Sequence, residues 1–167
     1  MSTYLDPRYP EKHGSYSDVP EDVQAFLHYL ESTLRRSPRT VNAYYVDLRI
    51  FLRFMVRYQQ QIDKKIPDSE LAIHDLDTTF WRTINYADLL EYPIYLKNER
   101  NNSRATNCRK VSSIKGFFRY LTKMGKISDD PSKELDLPKP ARSLPKYLSL
   151  EESLELLKDI QSDFYER

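Results

Sequence analysis

A chain of 167 residues is long enough for one domain built on a hydrophobic core, so nothing requires a disulfide or a structural metal to hold it. One cysteine, Cys108, excludes an intrachain disulfide, and three glycines leave little material for tight β-turns. The formal charge of +1 excludes a uniformly basic or acidic protein, which makes the distribution of charge more telling than its sum.

Residues 1–34 hold two basic and six acidic residues, residues 60–99 hold four and eight, and residues 149–167 hold two and six. The positive charge lies between them. Residues 35–57 carry six arginines against Asp47 alone, and residues 100–126 carry eight Lys or Arg and no acid. No apolar run near the N-terminus is long enough for a signal peptide or a membrane helix, so the expectation is a soluble protein of the reducing cytoplasm.

Apolar residues recur at three- and four-residue spacing, which predicts an all-α fold, a compact bundle of four to five helices. Residues 1–18, rich in Pro, Tyr and charge, have no period and read as a flexible extension. A first helix is predicted after Asp18 and Val19, with Pro20 in its first turn and Glu21 and Asp22 at its positive end. Its apolar stripe is Val23, Phe26, Leu27, Leu30 and Leu34.

Ser37 as N-cap and Pro38 at the first helical position open a long helix reaching about Tyr58. Val41, Tyr44, Leu48, Phe51, Leu52 and Met55 gather on one side of it, and Arg49, Arg53 and Arg57 form a ridge opposite. The polar stretch from Gln59 to Thr83 reads as loop with a short helix near Thr78 to Trp81, and Trp81 reads as a packing anchor. Another helix is expected from Asn85 to Glu99, kinked or divided at Pro93, burying Leu89, Leu90, Ile94, Tyr95 and Leu96.

Ser103 caps a helix running to about Met124, with Gly125 just past its end. Val111, Ile114, Phe117, Phe118 and Leu121 share one arc, and Arg109, Lys115, Arg119 and Lys123 the opposite one. From Leu137 to Tyr147 three prolines alternate with Lys139, Arg142 and Lys146, which predicts an extended basic linker over 137–148. Ser149 and Glu152 form a capping box for a last helix over 149–167 with Leu150, Leu154, Leu157 and Phe164 inward. The central unit is then 19–136.

Two helices apolar on one side and basic on the other suit a phosphate backbone, so double-stranded DNA is the expected partner. A solvated face is the competing reading of the Arg49, Arg53 and Arg57 ridge. It is weakened where no acid intervenes between Arg100 and Lys126, because i, i+4 salt bridges cannot then account for the charge. Short donors interleave with the cations: Thr40 and Asn42 in one helix, and Thr106, Asn107, Ser112 and Ser113 in the other. Placed at helix N-termini, they suit phosphate oxygens.

Other chemistry finds no support. His13, His28 and His74 lack Cys or carboxylate at ligand spacing, so neither a metal nor a cofactor is expected, and Cys108 lies in no nucleophile motif. None of the thirteen tyrosines has Arg and His arranged about it, so no catalytic residue is assigned.

SPRTVNAYYVDLRIFLRFM, Ser37 to Met55, resembles the S-x-x-T-x-x-x-Y-x-x-D-L-x-x-F signature of the core-binding domain in Xer-type and phage-integrase-type tyrosine recombinases. ATNCRKVSSIKGFFRYLTKMGKISDDPSKELDLPKP, Ala105 to Pro140, resembles that family's T-x-N-R-x-x-S-x-x-R-x-F-F-x-Y-L segment and its N-P-x-x-x-L-x-x-P-K run. LPKYLSLEESLELL, Leu144 to Leu157, is similar to the start of its catalytic domain. The three matches are collinear. Asp130 stands where the family has Asn, Cys108 splits the Asn-Arg pair, and Lys115 replaces a common Arg.

The resemblance implies a SAM-like core-binding domain that closes with a catalytic domain as a clamp on DNA at a recombination site, together with further protomers. It implies no small-molecule substrate and no membrane. Carried over, it puts Thr40, Tyr44, Thr106, Arg109, Lys110 and Lys115 on DNA-facing helices and Lys139, Arg142 and Lys146 on the linker. Arg39, Arg104, Asn107 and Arg119 join them from the basic segments. Strand cleavage by a tyrosine assisted by arginines, lysine and histidines is implied for the parent protein and not for these residues. Charge reversal at Arg109 and Lys115 is expected to weaken DNA binding without unfolding the domain. A helical protein-interaction module is the rival reading.

Overall fold

The computed structural model describes residues 16–100 and 102–136, so the expected linker with Lys139, Arg142 and Lys146 and the capped helix from Ser149 lie outside the described residues. Five α-helices and no strand are present among those described: α1 (Glu21–Ser32), α2 (Pro38–Gln59), α3 (Thr78–Thr83), α4 (Tyr86–Asn98) and α5 (Arg104–Lys123). The expected all-α class is observed. None of these helices is long and apolar enough to cross a membrane.

The central pair is α2 and α5, and both α1 and α4 pack against each of them. Val23, Phe26, Leu27 and Leu30 form the buried stripe of α1. Pro20 sits one position earlier than expected, as the N-cap, with its carbonyl accepting from the amides of Val23 and Gln24 at 2.9 and 3.0 Å. Leu34 departs from the predicted stripe and is 44% exposed. The chain leaves the helix at Thr33 and turns through Arg35 at φ 48°, so the residue after the stripe no longer follows its period.

Ser37 caps α2 as predicted, accepting from the Thr40 amide at 3.3 Å. Its buried face runs through Val41, Tyr45, Leu48, Phe51, Leu52 and Met55, so Tyr45 and not Tyr44 occupies the tyrosine position of the stripe. Positions 44 and 45 both fall within a helix turn of Val41, and identical side chains gave the pattern no means to choose. The Tyr45 hydroxyl donates to Asp18 at 2.5 Å, and burial followed by this bond holds its pKa far above the usual tyrosine value.

Within the Arg49, Arg53 and Arg57 ridge, Arg49 and Arg57 are tethers and not free surface cations. Arg49 pairs with Asp18 at 2.8 Å and lies over the Tyr45 ring. Arg57 donates to the carbonyls of Asp63 and Ile66, both at 2.6 Å, and to the Asp68 carboxylate at 2.9 Å. Arg100 takes the other Asp68 oxygen at 2.7 Å, and the connection from Gln60 to Asp77 is thereby tied down. Burial, then the neighbouring Arg49 charge, lowers the pKa of Arg53.

Trp81 on α3 is fully buried, and its ring meets Phe117 edge-on at 5.2 Å. Its indole N–H donates to Asp22 at 2.7 Å, a carboxylate that also pairs with Lys126 at 3.1 Å. Asn85 and Asp88 form the capping box of α4, which continues through Pro93 as one helix. Leu89, Tyr92 and Leu96 are its buried side, whereas Leu90 and Ile94, expected inside, are 41% and 50% exposed. A stripe at i, i+3 and i+7 leaves i+1 and i+5 facing outward.

Ser103 caps α5, and Val111, Ile114, Phe117, Phe118 and Leu121 are buried as predicted. Gly125 follows at φ 69°, a left-handed value that a side chain would strain. Beyond it, the Asp130 side chain accepts from the Ser132 amide at 2.8 Å and from the Ser132 hydroxyl at 2.6 Å. A carboxylate supplies the acceptor that an asparagine would supply in this turn.

Candidate nucleic-acid interface

The two motif-bearing helices meet at a buried carboxylate. Asp47 on α2 has no exposed side-chain surface, and from α5 it receives the Lys110 ammonium at 3.0 Å and an Arg109 guanidinium nitrogen. The same Arg109 nitrogen donates to the Ala43 carbonyl at 3.2 Å. Burial pushes the Asp47 carboxyl above the ordinary carboxylate range, while Lys110 and Arg109 pull it back. A buried carboxylate without partners would cost several kcal/mol, so the two cations are what the position requires.

Lys110 consequently faces inward, 5% exposed, where sequence placed it among residues reaching out to DNA. Arg109 is half-exposed and divides its hydrogen bonds between the interior and the surface. Lys115 donates to the carbonyls of Lys133 and Leu135 at 3.1 and 2.7 Å, fastening α5 to the segment that follows it. Charge reversal at Arg109 or Lys115 would therefore disturb the fold as well as the surface. Glutamate at 109 would bring a second carboxylate against Asp47.

Some of the remaining candidates converge. Arg39, Thr40, Tyr44 and Arg109 line one shallow hollow of about 650 Å³ where the first turns of α2 meet α5. Lys115 and Arg119 line a second, of about 450 Å³, and Tyr44 borders both. Arg104, Thr106 and Asn107 stand on the first turn of α5, with Ser103 accepting from the Thr106 amide at 3.2 Å. Arg39, Arg104 and Arg119 are exposed, and no ion pair joins them to another described residue.

Arg36 escaped sequence reasoning, and Lys123 was placed on the basic arc without being taken as a binding candidate. Arg36 lines the second hollow from the turn before α2, and Lys123 lies over the Tyr29 ring at 5.2 Å and donates to its hydroxyl at 3.1 Å. Arg36 belonged to no periodic element, and its place in the arginine-rich segment was the available signal.

Both motifs have physical content in this geometry. Ser37 caps, Leu48 and Phe51 enter the core, Asp47 receives α5, and Tyr44 is left at the surface between the hollows. On α5, Arg109 answers Asp47, and Phe117, Phe118 and Leu121 complete the core.

The tyrosine recombinase XerC of Caldanaerobacter subterraneus subsp. tengcongensis is 38% identical over 149 residues, covering 89% of this chain and 42% of that protein. The chain belongs to the tyrosine recombinase family. The XerC of Roseiflexus sp. is 30% identical over 83% of the chain and 38% of its own length. The XerD of Listeria monocytogenes is likewise 30% identical, over 81% of the chain and 39% of its own length. The chain thus spans about two fifths of the length of the curated recombinases it matches. No family profile and no solved structure matches it.

Proposed function

We propose that residues 19–136 are the DNA-binding domain of a cytoplasmic tyrosine recombinase, and that the starts of α2 and α5 face duplex DNA. What carries this reading is that Arg39, Thr40, Tyr44 and Arg109 share one hollow at the start of α2 and Tyr44, Lys115 and Arg119 border the adjoining one, with Arg104, Thr106 and Asn107 on the first turn of α5. Helix N-termini offer free amides and a positive dipole end to phosphate, and the side-chain cations add charge there. Arg109 and Lys115 contribute from behind, and Lys110 acts by holding Asp47. Lys139, Arg142 and Lys146, in the segment the sequence reads as a linker, add to the basic charge of the DNA-binding set. The parent protein joins further protomers at its recombination site and cleaves and rejoins DNA.

Fluorescence anisotropy with a duplex of about 30 base pairs tests this. With roughly five phosphate contacts, log K should fall against log salt with a slope of about −4 to −5. An affinity indifferent to salt, or unaltered in Arg39→Glu/Arg119→Glu, would remove the proposal.

A protein-interaction role is the second reading, supported by Tyr86, Leu90 and Ile94, an exposed apolar row at four-residue spacing on α4. Self-association that weakens in Leu90→Ser/Ile94→Ser, followed by sedimentation velocity, would support it.

A further inference from the structure

The hollow bordered by Arg119 differs in chemistry from a phosphate track. Phe26 and Leu30 lie buried at its bottom, and the half-buried rings of Tyr29, Tyr44 and Tyr120 stand around them. The rings form a connected set, with Phe26 centred 5.3 Å from Tyr120 and 6.4 Å from Tyr44, and Tyr29 centred 5.2 Å from Tyr120. Arg36, Lys115, Arg119 and Lys123 make the rim. Gly116 keeps the floor open: a Cβ there would stand 3.4 Å from the Phe26 ring and 3.8 Å from the Tyr44 ring.

Paired DNA can use the rim but not the floor, because its bases are stacked inside the duplex and turn no face to a protein ring. An unpaired nucleotide uses both. Its base offers a flat face that stacks on aromatic side chains, and its phosphates meet the cations beside them. The hollow, about 450 Å³, has the size and the largely apolar lining of a small-ligand site. The four cations divide the work. Lys115 is held by the Lys133 and Leu135 carbonyls, and Lys123 lies over the Tyr29 ring and donates to its hydroxyl, which fixes that ring in place. Arg36 and Arg119 are exposed and remain for phosphate. Tyr44 borders both this hollow and the one lined by Arg39, so the aromatic floor is continuous with the face assigned to DNA.

We infer that the hollow between α1, α2 and α5 is a pocket for one unpaired nucleotide, with the base on the tyrosine floor and its phosphates at Arg36 and Arg119. The inference rests on the DNA-binding reading proposed above and adds to it a preference for DNA in which a base has left the stack. Stacking does not depend on the identity of the base, so the preference is for structure and not for sequence. Its size is that of one stacked base, about tenfold in affinity.

Two titrations of the full chain test this. In the first, amide chemical shifts of Leu34, Gly116, Arg119 and Tyr120 are followed with a thymidine pentamer and with an abasic pentamer of the same charge. The thymidine pentamer should move them to saturation and the abasic one much less. In the second, anisotropy compares a fully paired duplex with the same duplex carrying one extrahelical thymidine. The bulged duplex should bind about tenfold more tightly, and Gly116→Leu should erase that advantage while leaving the paired duplex within about twofold. Should Gly116→Leu fail to fold, Gly116→Ala, whose Cβ meets both rings at ordinary contact distance, takes its place and should at least halve the advantage. Equal shifts with the two pentamers, or a bulged duplex bound no more tightly than the paired one, overturn the pocket and leave the DNA-binding reading standing. Shifts specific to the thymidine pentamer without binding of either duplex would keep the pocket and remove the duplex reading instead.

Discussion

Replacing Asp47 by leucine isolates the interaction that joins the two motif helices. The substitution removes a fully buried carboxylate and leaves the Lys110 ammonium, 5% exposed, with no partner. Breaking a buried pair from one side costs about 3–5 kcal/mol, since the surviving charge keeps its desolvation penalty and loses its compensation. Arg109 adds less to this cost, because its side chain is 42% exposed and water screens it. A domain of this size has a total stability of roughly 5–15 kcal/mol, so Asp47→Leu should bring it near the margin of folding.

The second variant, Asp47→Leu/Lys110→Met, removes both buried charges and fills the space with apolar atoms. It should recover stability to within about 1 kcal/mol of wild type, because apolar replacement of a whole buried pair is close to neutral. Urea unfolding followed by the fluorescence of Trp81, the chain's one tryptophan and fully buried, measures both variants. A cost below about 1 kcal/mol for the single variant would refute the argument. So would a double variant no more stable than the single one.

Five further outcomes are expected. Asp47→Asn should flatten the pH dependence of stability: burial raises the Asp47 pKa, so the folded chain holds that proton more tightly than the unfolded one. The contribution is therefore full below the unfolded value of about 3.9 and is lost as pH rises through the folded value, a slope that urea titrations across the acid range would find missing in the variant. Trp81→Phe should cost about 1.5–3 kcal/mol in calorimetry, because the Asp22 carboxylate loses a donor. Ser103→Ala should cost about 1 kcal/mol by removing the α5 cap, with the m-value unchanged. Arg119→Glu should leave the unfolding midpoint in place while the salt slope of DNA binding falls by about one, and Lys115→Met should lower the midpoint by releasing the Lys133 and Leu135 carbonyls.

The helices were legible because each begins or ends on chemistry that acts locally. Ser37 with Pro38, Ser103, and Gly125 mark boundaries that depend on a few backbone groups, and the structure places α2 and α5 accordingly. What sequence did not disclose depends on partners distant in the chain. Arg49 and Arg57 looked like a free cationic ridge because Asp18 and Asp68, their partners, lie in segments with no period of their own. Lys110 looked like a surface cation because nothing adjacent in sequence says that α5 crosses α2 at Asp47.

That crossing also separates what the motifs do for folding from what they do for binding. In a pattern such as Y-x-x-D-L-x-x-F every named position looks alike, yet Asp47, Leu48 and Phe51 are wholly buried whereas Tyr44 is half-buried, its ring near Phe26 while it borders both hollows. A residue that holds the fold fails in thermal unfolding before it fails in binding, and one that meets a ligand fails in the reverse order. Tyr44→Phe and Tyr45→Phe, adjacent and chemically matched, make the comparison within one helix turn. Tyr45→Phe strips the hydroxyl from Asp18 and should cost about 1.5–3 kcal/mol of stability while leaving DNA affinity intact. Tyr44→Phe, which keeps the ring on Phe26 and removes only the hydroxyl, should do the opposite, weakening anisotropy-detected binding with the unfolding midpoint nearly unmoved. If both variants lost stability and binding together, the division of α2 into an inward and a DNA-facing side would be wrong.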